Sequence, residues 1–221
     1  PIREIADIAH ANDCLVHTDA AQSVGKIPVD VNQLGIDYLT IAAHKMYGPK
    51  GIGALFVREG APLEPILHGA GHERGLRPGT ENVPYLIGFG EASRIAGEDL
   101  KQERSRQEEL RDALYQQLSQ NIPDIRLNGH PDLRHPGNLH ISLPNVNSLD
   151  VLEKLPGYAL SVGSACHSEN PMDNPLIQAL GIPEEYARGS IRIGIGRSNS
   201  VQQLSQFASD LSAAYKQTLN E

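Results

Sequence analysis

The sequence predicts an α/β fold over residues 1–98 and a small C-terminal α+β domain over residues 99–221. Three observations support this prediction. Short, nearly continuous apolar runs are typical of buried strands, apolar residues three and four apart predict helices, and beyond residue 121 the sequence changes to a series of short strand candidates. At about 150 residues per domain, the 221 residues correspond to roughly one and a half domains.

The composition excludes several classes of protein. The net charge is −8 and no basic patch is visible, so we expect no nucleic-acid partner. No run approaches the ~20 apolar residues that span a bilayer, so we expect no membrane segment. Cys14 and Cys166 are too few for a disulfide framework, which predicts a reducing, cytoplasmic setting. The chain begins at Pro1 without an initiator methionine, which suggests a fragment of a longer protein.

The first domain is predicted to alternate helix and strand. Residues 1–12 place isoleucines and alanines three and four apart, which predicts a helix. Apolar runs then predict strands at 14–19, 38–43 and 53–58. A long helix is predicted over residues 83–120, and we place the domain boundary inside it, near residue 98, where its charged middle begins.

The second domain is predicted to contain short strands with helices between them. The strands are expected at 125–127, 138–143, 159–162 and 190–195. Helices are expected at 147–154 and 171–180. The chain ends in an amphipathic helix that carries Val201, Leu204, Phe207 and Leu211 on one face.

Two strand ends carry residues that could do chemistry. Asp19 closes the first predicted strand, and His44 and Lys45 follow the second. Ligands bind outside the carboxyl ends of strands in open α/β sheets. Burial would disfavour the charge on Lys45 and leave a nucleophilic amine, and a carboxylate such as Asp19 suits a pyridinium nitrogen. The pair therefore indicates a pyridoxal 5'-phosphate site, and their 26-residue separation fits a strand–helix–strand crossover.

Simpler interpretations of the same residues stay open at this point. Asp19 could cap the helix that follows its strand, and Lys45 could lie on the surface at the start of a turn. His17, Asp19 and His44 are also ligand types for a metal, as in a zinc hydrolase. The sequence lacks the HxH and HExxH spacings that would set a coordination geometry for that metal.

Several blocks of the sequence, in order, resemble the class V aminotransferases. More narrowly, they resemble the cysteine desulfurases and the related selenocysteine lyases. The blocks are 17–22, 43–55, 69–82, 161–166 and 190–197. The resemblance implies a fold-type-I pyridoxal phosphate-dependent transferase with a large domain built on a mainly parallel sheet and a small C-terminal α+β domain. It also implies that the front of the large domain lies outside this chain.

The resemblance assigns cofactor-binding roles to five residues. Asp19 would pair with the pyridine nitrogen, and Gln22 would donate to the phenolic oxygen. Lys45 would hold the cofactor covalently and then move protons at the substrate carbons. His44 would contact the phosphate, and Thr80 would reach the phosphate of the partner subunit, which implies a homodimer.

The resemblance also assigns the substrate chemistry. Arg192 would grip the carboxylate of L-cysteine or L-selenocysteine, because a guanidinium fork suits a planar carboxylate; Arg197 is the alternative clamp. Cys166 would be the catalytic nucleophile, leaving alanine and a persulfide for a sulfur-acceptor protein, as in iron–sulfur cluster assembly. Cys14 lies in an apolar run and is predicted to be a core residue.

Two departures from the family pattern bear on activity. Ala42 stands where desulfurases often have a serine that donates to the phosphate. Residues 77–82 and 166–168 are closer to the selenocysteine lyase branch. Three readings follow: a cysteine desulfurase, a selenocysteine lyase that releases selenide, and a non-catalytic truncated chain that retains only dimer or partner contacts.

Overall fold

The computed structural model describes residues 1–162 and 171–220. The chain divides into two compact units, Pro1–Lys101 and Gln102–Glu221. The division falls inside one long helix, α3 (Val83–Asn121). Among the described residues, no helix is both long enough and apolar enough to cross a membrane.

The first unit contains a small mixed sheet. Before α3, its helices and strands are α1 (Ile2–His10), β1 (His17–Asp19), α2 (Val31–Leu34), β2 (Tyr38–Ala42) and β3 (Gly53–Val57). The strand order is β1-β2-β3, in which β1 runs parallel to β2 and β3 runs antiparallel to it. The short helix α2 lies on the crossover between the parallel strands. It is capped by the Asp30 carboxylate and ends at Gly35, whose φ of 66° is left-handed.

The two faces of this sheet differ in polarity. Leu39 is 2% exposed and packs in an apolar cluster with Val16, Ile36 and Ala6 of α1. The opposite face carries His17 and Asp19 of β1 beside Tyr38 and Thr40 of β2, which are their register partners. In this chain the sheet is therefore covered by apolar packing on one face only. The continuous apolar runs in the sequence predict strands that are covered on both faces.

The second unit is an antiparallel sheet covered on one face by helices. Its strands are β4 (Arg126–Leu127), β5 (Asn138–Ser142), β6 (Ser161–Val162) and β7 (Ser190–Gly194), in the order β4-β5-β7-β6. Its remaining helices are α4 (Ser148–Glu153), α5 (Pro175–Ala179), α6 (Glu184–Ala187) and α7 (Val201–Leu219). Leu139, Ile141, Ile191 and Ile193 point from β5 and β7 into a core that includes Leu114 and Leu211.

Three local predictions are wrong. The first strand begins at His17 rather than at residue 14, so Cys14 lies in the segment between α1 and β1. Cys14 is exposed and its thiol donates to the carbonyl of Asn12 at 3.4 Å, so it is not a core residue. The predicted helix at 171–180 is divided into a 3-10 turn, Pro171–Asp173, and α5, because Asn174 caps a new helix with Pro175 at its first position.

Candidate functional site

The carboxyl ends of β1 and β2 lie at the same edge of the first sheet. The strands are parallel, and Asp19, the last residue of β1, pairs in register with Thr40 of β2. The His17 ring nitrogen Nε2 lies 2.8 Å from the Thr40 hydroxyl on this polar face. Gln22 follows three residues after Asp19 and is exposed, so both predicted cofactor ligands extend from the end of β1.

A 3-10 turn, Ala43–Met46, follows β2 and presents His44 and Lys45. Ala43 is fully buried and Met46 is 4% exposed, while the two residues between them are exposed. The Ser93 hydroxyl of α3 donates to the Phe89 carbonyl at 2.9 Å and lies 3.6 Å from Met46 Sδ at the buried end of the turn. The turn therefore exposes the side chains of His44 and Lys45, while the buried residues on either side of them attach it to the first unit.

The Gly48 backbone closes this turn. Its N–H donates to the carbonyl of Ala43 at 2.9 Å, after Tyr47 adopts a left-handed φ of 67°. A Cβ on Gly48 would lie 2.9 Å from that same carbonyl oxygen. The sequence Met46-Tyr47-Gly48 therefore suits this geometry because glycine alone allows the close approach.

Asp19, His44 and Lys45 are exposed at this edge of the sheet. Asp19 is exposed, and its Oδ1 accepts from the N–H of Ala21 at 2.9 Å, so the capping interpretation holds for a turn rather than for an α-helix. Within the described part of the chain, His44 and Lys45 form no hydrogen bond or ion pair. Lys45 is exposed, which agrees with the alternative of a surface lysine at the start of a turn, and its role toward the cofactor stays a prediction.

Thr80 lies in the loop that precedes α3. It is exposed and follows Gly79, which has a positive φ of 103°. The Arg77 guanidinium braces this loop by an ion pair with Glu73 and by donating to the Gly79 carbonyl at 2.7 Å. The predicted role of Thr80 toward a second subunit stays a prediction.

Arg192 occupies the middle of β7 on the face opposite the second core. It is exposed, whereas Ile191 and Ile193 on either side are buried, as the alternation of a strand requires. Its register partners are His140 of β5 and Ser161 of β6. Arg192 lines a cavity of about 380 Å³ together with Asn128, Arg134, Asn138 and His140.

His140 is a residue of this cavity that sequence reasoning missed. Its Nε2 lies 2.7 Å from the Ser190 hydroxyl. Burial, and then the charges of Arg134 and Arg192, lower the pKa of His140 to about 4. The imidazole is therefore neutral near pH 7. In the sequence, His140 is marked only by its position in a strand of alternating polar and apolar residues. That position becomes informative once the register places His140 opposite Arg192 of β7.

The alternative carboxylate clamp, Arg197, lies beyond the end of β7. The Glu103 carboxylate accepts from Arg106, and this bond, with a smaller contribution from the charge of Arg197, lowers the pKa of Glu103. Arg197 thus interacts with a carboxylate of its own unit, whereas Arg192 has no hydrogen bond or ion pair among the described residues. This contrast favours Arg192 as the clamp.

Two other predictions concern the nucleophile and the metal. Cys166 lies outside the described residues, so its role stays a prediction. Within residues 1–162 and 171–220, no group of three or more histidine, cysteine, aspartate or glutamate side chains is placed to hold a metal ion.

Residues 1–207 match the model of the aminotransferase class-V family. The chain belongs to this family. It is 40% identical to the cysteine desulfurase IscS of Ehrlichia chaffeensis over all of its own length and 54% of that protein. Among solved structures, it is similar to the NifS-like protein of Rickettsia africae, with a TM-score of 0.86 and 28% identity over 97% of this chain and 57% of that one.

A third similar protein is SspA, solved in complex with cysteine. It is 31% identical with a TM-score of 0.66, over 89% of this chain and 54% of SspA. The chain spans about half the length of the curated relatives it matches. These similarities confirm the predicted fold class, which is a partial large domain of a class V aminotransferase followed by a small C-terminal domain.

Proposed function

We propose that this chain is the C-terminal part of a pyridoxal phosphate-dependent cysteine desulfurase. The observation that carries the proposal is the placement of Asp19 and the His44–Lys45 turn at one edge of the first sheet. Relatives named cysteine desulfurase support the reaction. A similar protein solved with cysteine supports the substrate class.

The residues at this edge fit pyridoxal phosphate, the cofactor that class V aminotransferase membership implies. The Asp19 carboxylate keeps one oxygen, Oδ2, for the pyridine nitrogen, since only Oδ1 accepts from the backbone of Ala21. Lys45 Nζ suits the aldehyde, His44 suits the phosphate, and Gln22 suits the phenolic oxygen. When bound, the cofactor supplies an electron sink for the substrate carbons.

The remaining steps belong to residues of this chain. Arg192 binds the substrate carboxylate through its guanidinium fork. Lys45 Nζ moves a proton from Cα of the substrate and returns one to the carbon that becomes the methyl group. The Cys166 thiolate attacks the substrate sulfur; an S–S bond forms, the Cβ–S bond breaks, and its electron pair stays on carbon and takes up a proton. The products are L-alanine and a persulfide on Cys166.

The proposal extends to partners and location. We expect a homodimer in which Thr80 reaches the partner's phosphate site, and a sulfur-acceptor protein that takes the persulfide sulfur, as in iron–sulfur cluster assembly. The chain has only two cysteines, and the Cys14 thiol is exposed, which favours a reducing compartment such as the cytoplasm.

The first test locates the cofactor. The full chain is incubated with pyridoxal phosphate, reduced with borohydride, and analysed by peptide mass mapping. We expect the label on Lys45, its loss in Lys45→Ala, and its retention in the control Lys50→Ala, another exposed lysine five residues along. A label elsewhere, or none, would contradict the cofactor site and favour the non-catalytic interpretation.

The second test follows the sulfur. With L-cysteine, the loaded chain should release alanine and carry a persulfide on Cys166, and Cys166→Ala should keep the cofactor but lose both products. Persulfide formation that persists in Cys166→Ala would overturn the assignment of the nucleophile. Activity with selenocysteine alone would replace the desulfurase with a selenocysteine lyase.

A further inference from the structure

Three polar side chains form a row across the second sheet. His140 of β5, Arg192 of β7 and Ser161 of β6 are register partners, and the row faces away from the apolar core. Directly opposite residues of antiparallel strands have Cβ atoms about 4.5–5.5 Å apart. His140 is therefore an immediate neighbour of Arg192, and both side chains line the same cavity.

The imidazole of His140 is held in place by β7 itself. Its Nε2 lies 2.7 Å from the hydroxyl of Ser190, which is fully buried and lies two residues before Arg192 on the same face. Strand β7 therefore carries both Arg192 and Ser190, the hydrogen-bond partner of His140. A shift of the His140 ring relative to Arg192 would require the loss of this hydrogen bond.

The charges in the cavity leave Arg192 as the group suited to bind an anion. Its described lining residues include two arginines and no carboxylate. Arg134 is already used, since its guanidinium donates to the carbonyls of His130 at 2.8 Å and Asn128 at 2.7 Å in its own loop. His140 stays neutral near pH 7 because burial lowers its pKa. The imidazole is therefore an uncharged part of the cavity lining, and it does not add a third positive charge beside Arg134 and Arg192.

We propose that His140 is a positioning residue, whose imidazole, anchored to Ser190, packs beside the Arg192 side chain and keeps its guanidinium directed toward a bound carboxylate. An arginine side chain is long and flexible, and holding it in its binding conformation before the ligand arrives lowers the entropic cost of binding. The identity of that carboxylate as the substrate's own rests on the proposed function. The positioning of Arg192 does not.

The test measures carboxylate binding directly on the full chain without the cofactor. The chain is labelled with ¹⁵N and titrated with acetate, and the Nε–Hε resonance of Arg192, assigned by its absence in Arg192→Ala, is followed. We expect His140→Ala and Ser190→Ala each to weaken acetate binding at Arg192 by roughly three- to tenfold. His140→Gln, whose neutral amide can reach Ser190, should restore binding to within about twofold.

In the loaded enzyme, His140→Ala should raise KM for L-cysteine by a similar factor and leave kcat nearly unchanged. A change confined to kcat would overturn the proposal. Thermal unfolding checks that each variant is folded, and Ser190→Ala decides the question if His140→Ala does not fold.

The outcomes separate this inference from the proposed function. If acetate does not shift the Arg192 resonance of the wild-type chain, Arg192 does not bind carboxylates, and both the proposed substrate contact and the role of His140 fail. If acetate binds at Arg192 but His140→Ala and Ser190→Ala bind it as tightly as the wild type, only the role of His140 is overturned. Weaker binding in both variants with recovery in His140→Gln supports it.

Discussion

His10 of α1 and Asp37 are joined across the first unit, with the His10 ring nitrogen Nε2 2.9 Å from the Asp37 carboxylate. Asp37 is only 6% exposed, and it also accepts from the backbone N–H of Val16 at 2.8 Å. The Arg58 guanidinium lies 3.8 Å away. One buried carboxylate therefore connects α1, the start of β1 and the residue after β3.

We expect Asp37→Ala to lower the free energy of unfolding by about 1–2 kcal/mol, because it leaves the buried N–H of Val16 without its acceptor. Urea unfolding of the full chain measures this. Asp7→Ala, which removes the exposed i,i+4 pair with Arg3, is the control and should cost less than about 0.5 kcal/mol. Equal losses in the two variants would contradict a structural role for Asp37.

The same carboxylate predicts a pH dependence. The hydrogen bond from His10 and then that from Val16 hold the pKa of Asp37 below its ordinary value of 3.8. Its stabilisation is therefore fully present above pH 3.8 and is lost as the pH falls through the lower folded-state value. Acid unfolding of Asp37→Asn should lack this contribution, and identical acid profiles in variant and wild type would argue against it.

The turn that presents Lys45 should depend on Gly48. A methyl group there would lie 2.9 Å from the Ala43 carbonyl oxygen and 3.1 Å from its Cβ, so Gly48→Ala should destabilise the chain by about 1–3 kcal/mol. It should also reduce labelling of Lys45 by pyridoxal phosphate. The control is Gly71→Ala, where a Cβ meets nothing within 4 Å. If both variants behave alike, the turn does not need glycine.

The exposure of Cys14 can be tested by substitution and by labelling. Cys14→Ser should change the free energy of unfolding by less than about 0.5 kcal/mol, and the folded chain should react with a thiol reagent at Cys14. Ala6→Ser on α1, at a fully buried position, should instead cost about 1–3 kcal/mol. A large loss in Cys14→Ser would restore the interpretation of Cys14 as a core residue.

The neutral state of His140 predicts a second pH dependence. Its pKa is lowered from 6.5 to about 4 by burial and by two arginines, so the unfolded chain binds this proton more tightly than the folded chain. Stability should rise with pH between about 4 and about 6.5 and be partly lost as pH falls through that window. Urea unfolding at several pH values should show a smaller dependence in His140→Gln. NMR should show no titration of His140 above about pH 5.

Sequence periodicity was sufficient for the long elements. The apolar spacing predicted α1, α3 and α7 to within a few residues, because amphipathic helices repeat their pattern over several turns. The placement of Asp19 and Lys45 at strand ends also followed from short apolar runs. Such features depend on local sequence alone.

The missed features depend on pairing between distant segments. Cys14 is exposed because β1 begins to pair with β2 only at His17. The antiparallel direction of β3 is set by its pairing with β2, which the sequence of β3 alone does not reveal. His140 became a candidate only when β5 was aligned with β7, 52 residues further along the chain at Arg192. The four-residue helix α6 is too short for its periodicity to be recognised.

Buried and exposed side chains alternate along β7, and this alternation fixes the register that places Arg192 on the polar face. A slip of this strand by one residue against β5 would turn the guanidinium into the apolar core and bring Ile191 and Ile193 to the polar face. Such a misregistered state is penalised by the full cost of exposing two isoleucines and burying a charge. A one-residue insertion within β7 should therefore disfavour folding, because the apolar core on one face fixes which residues occupy the face that carries Arg192.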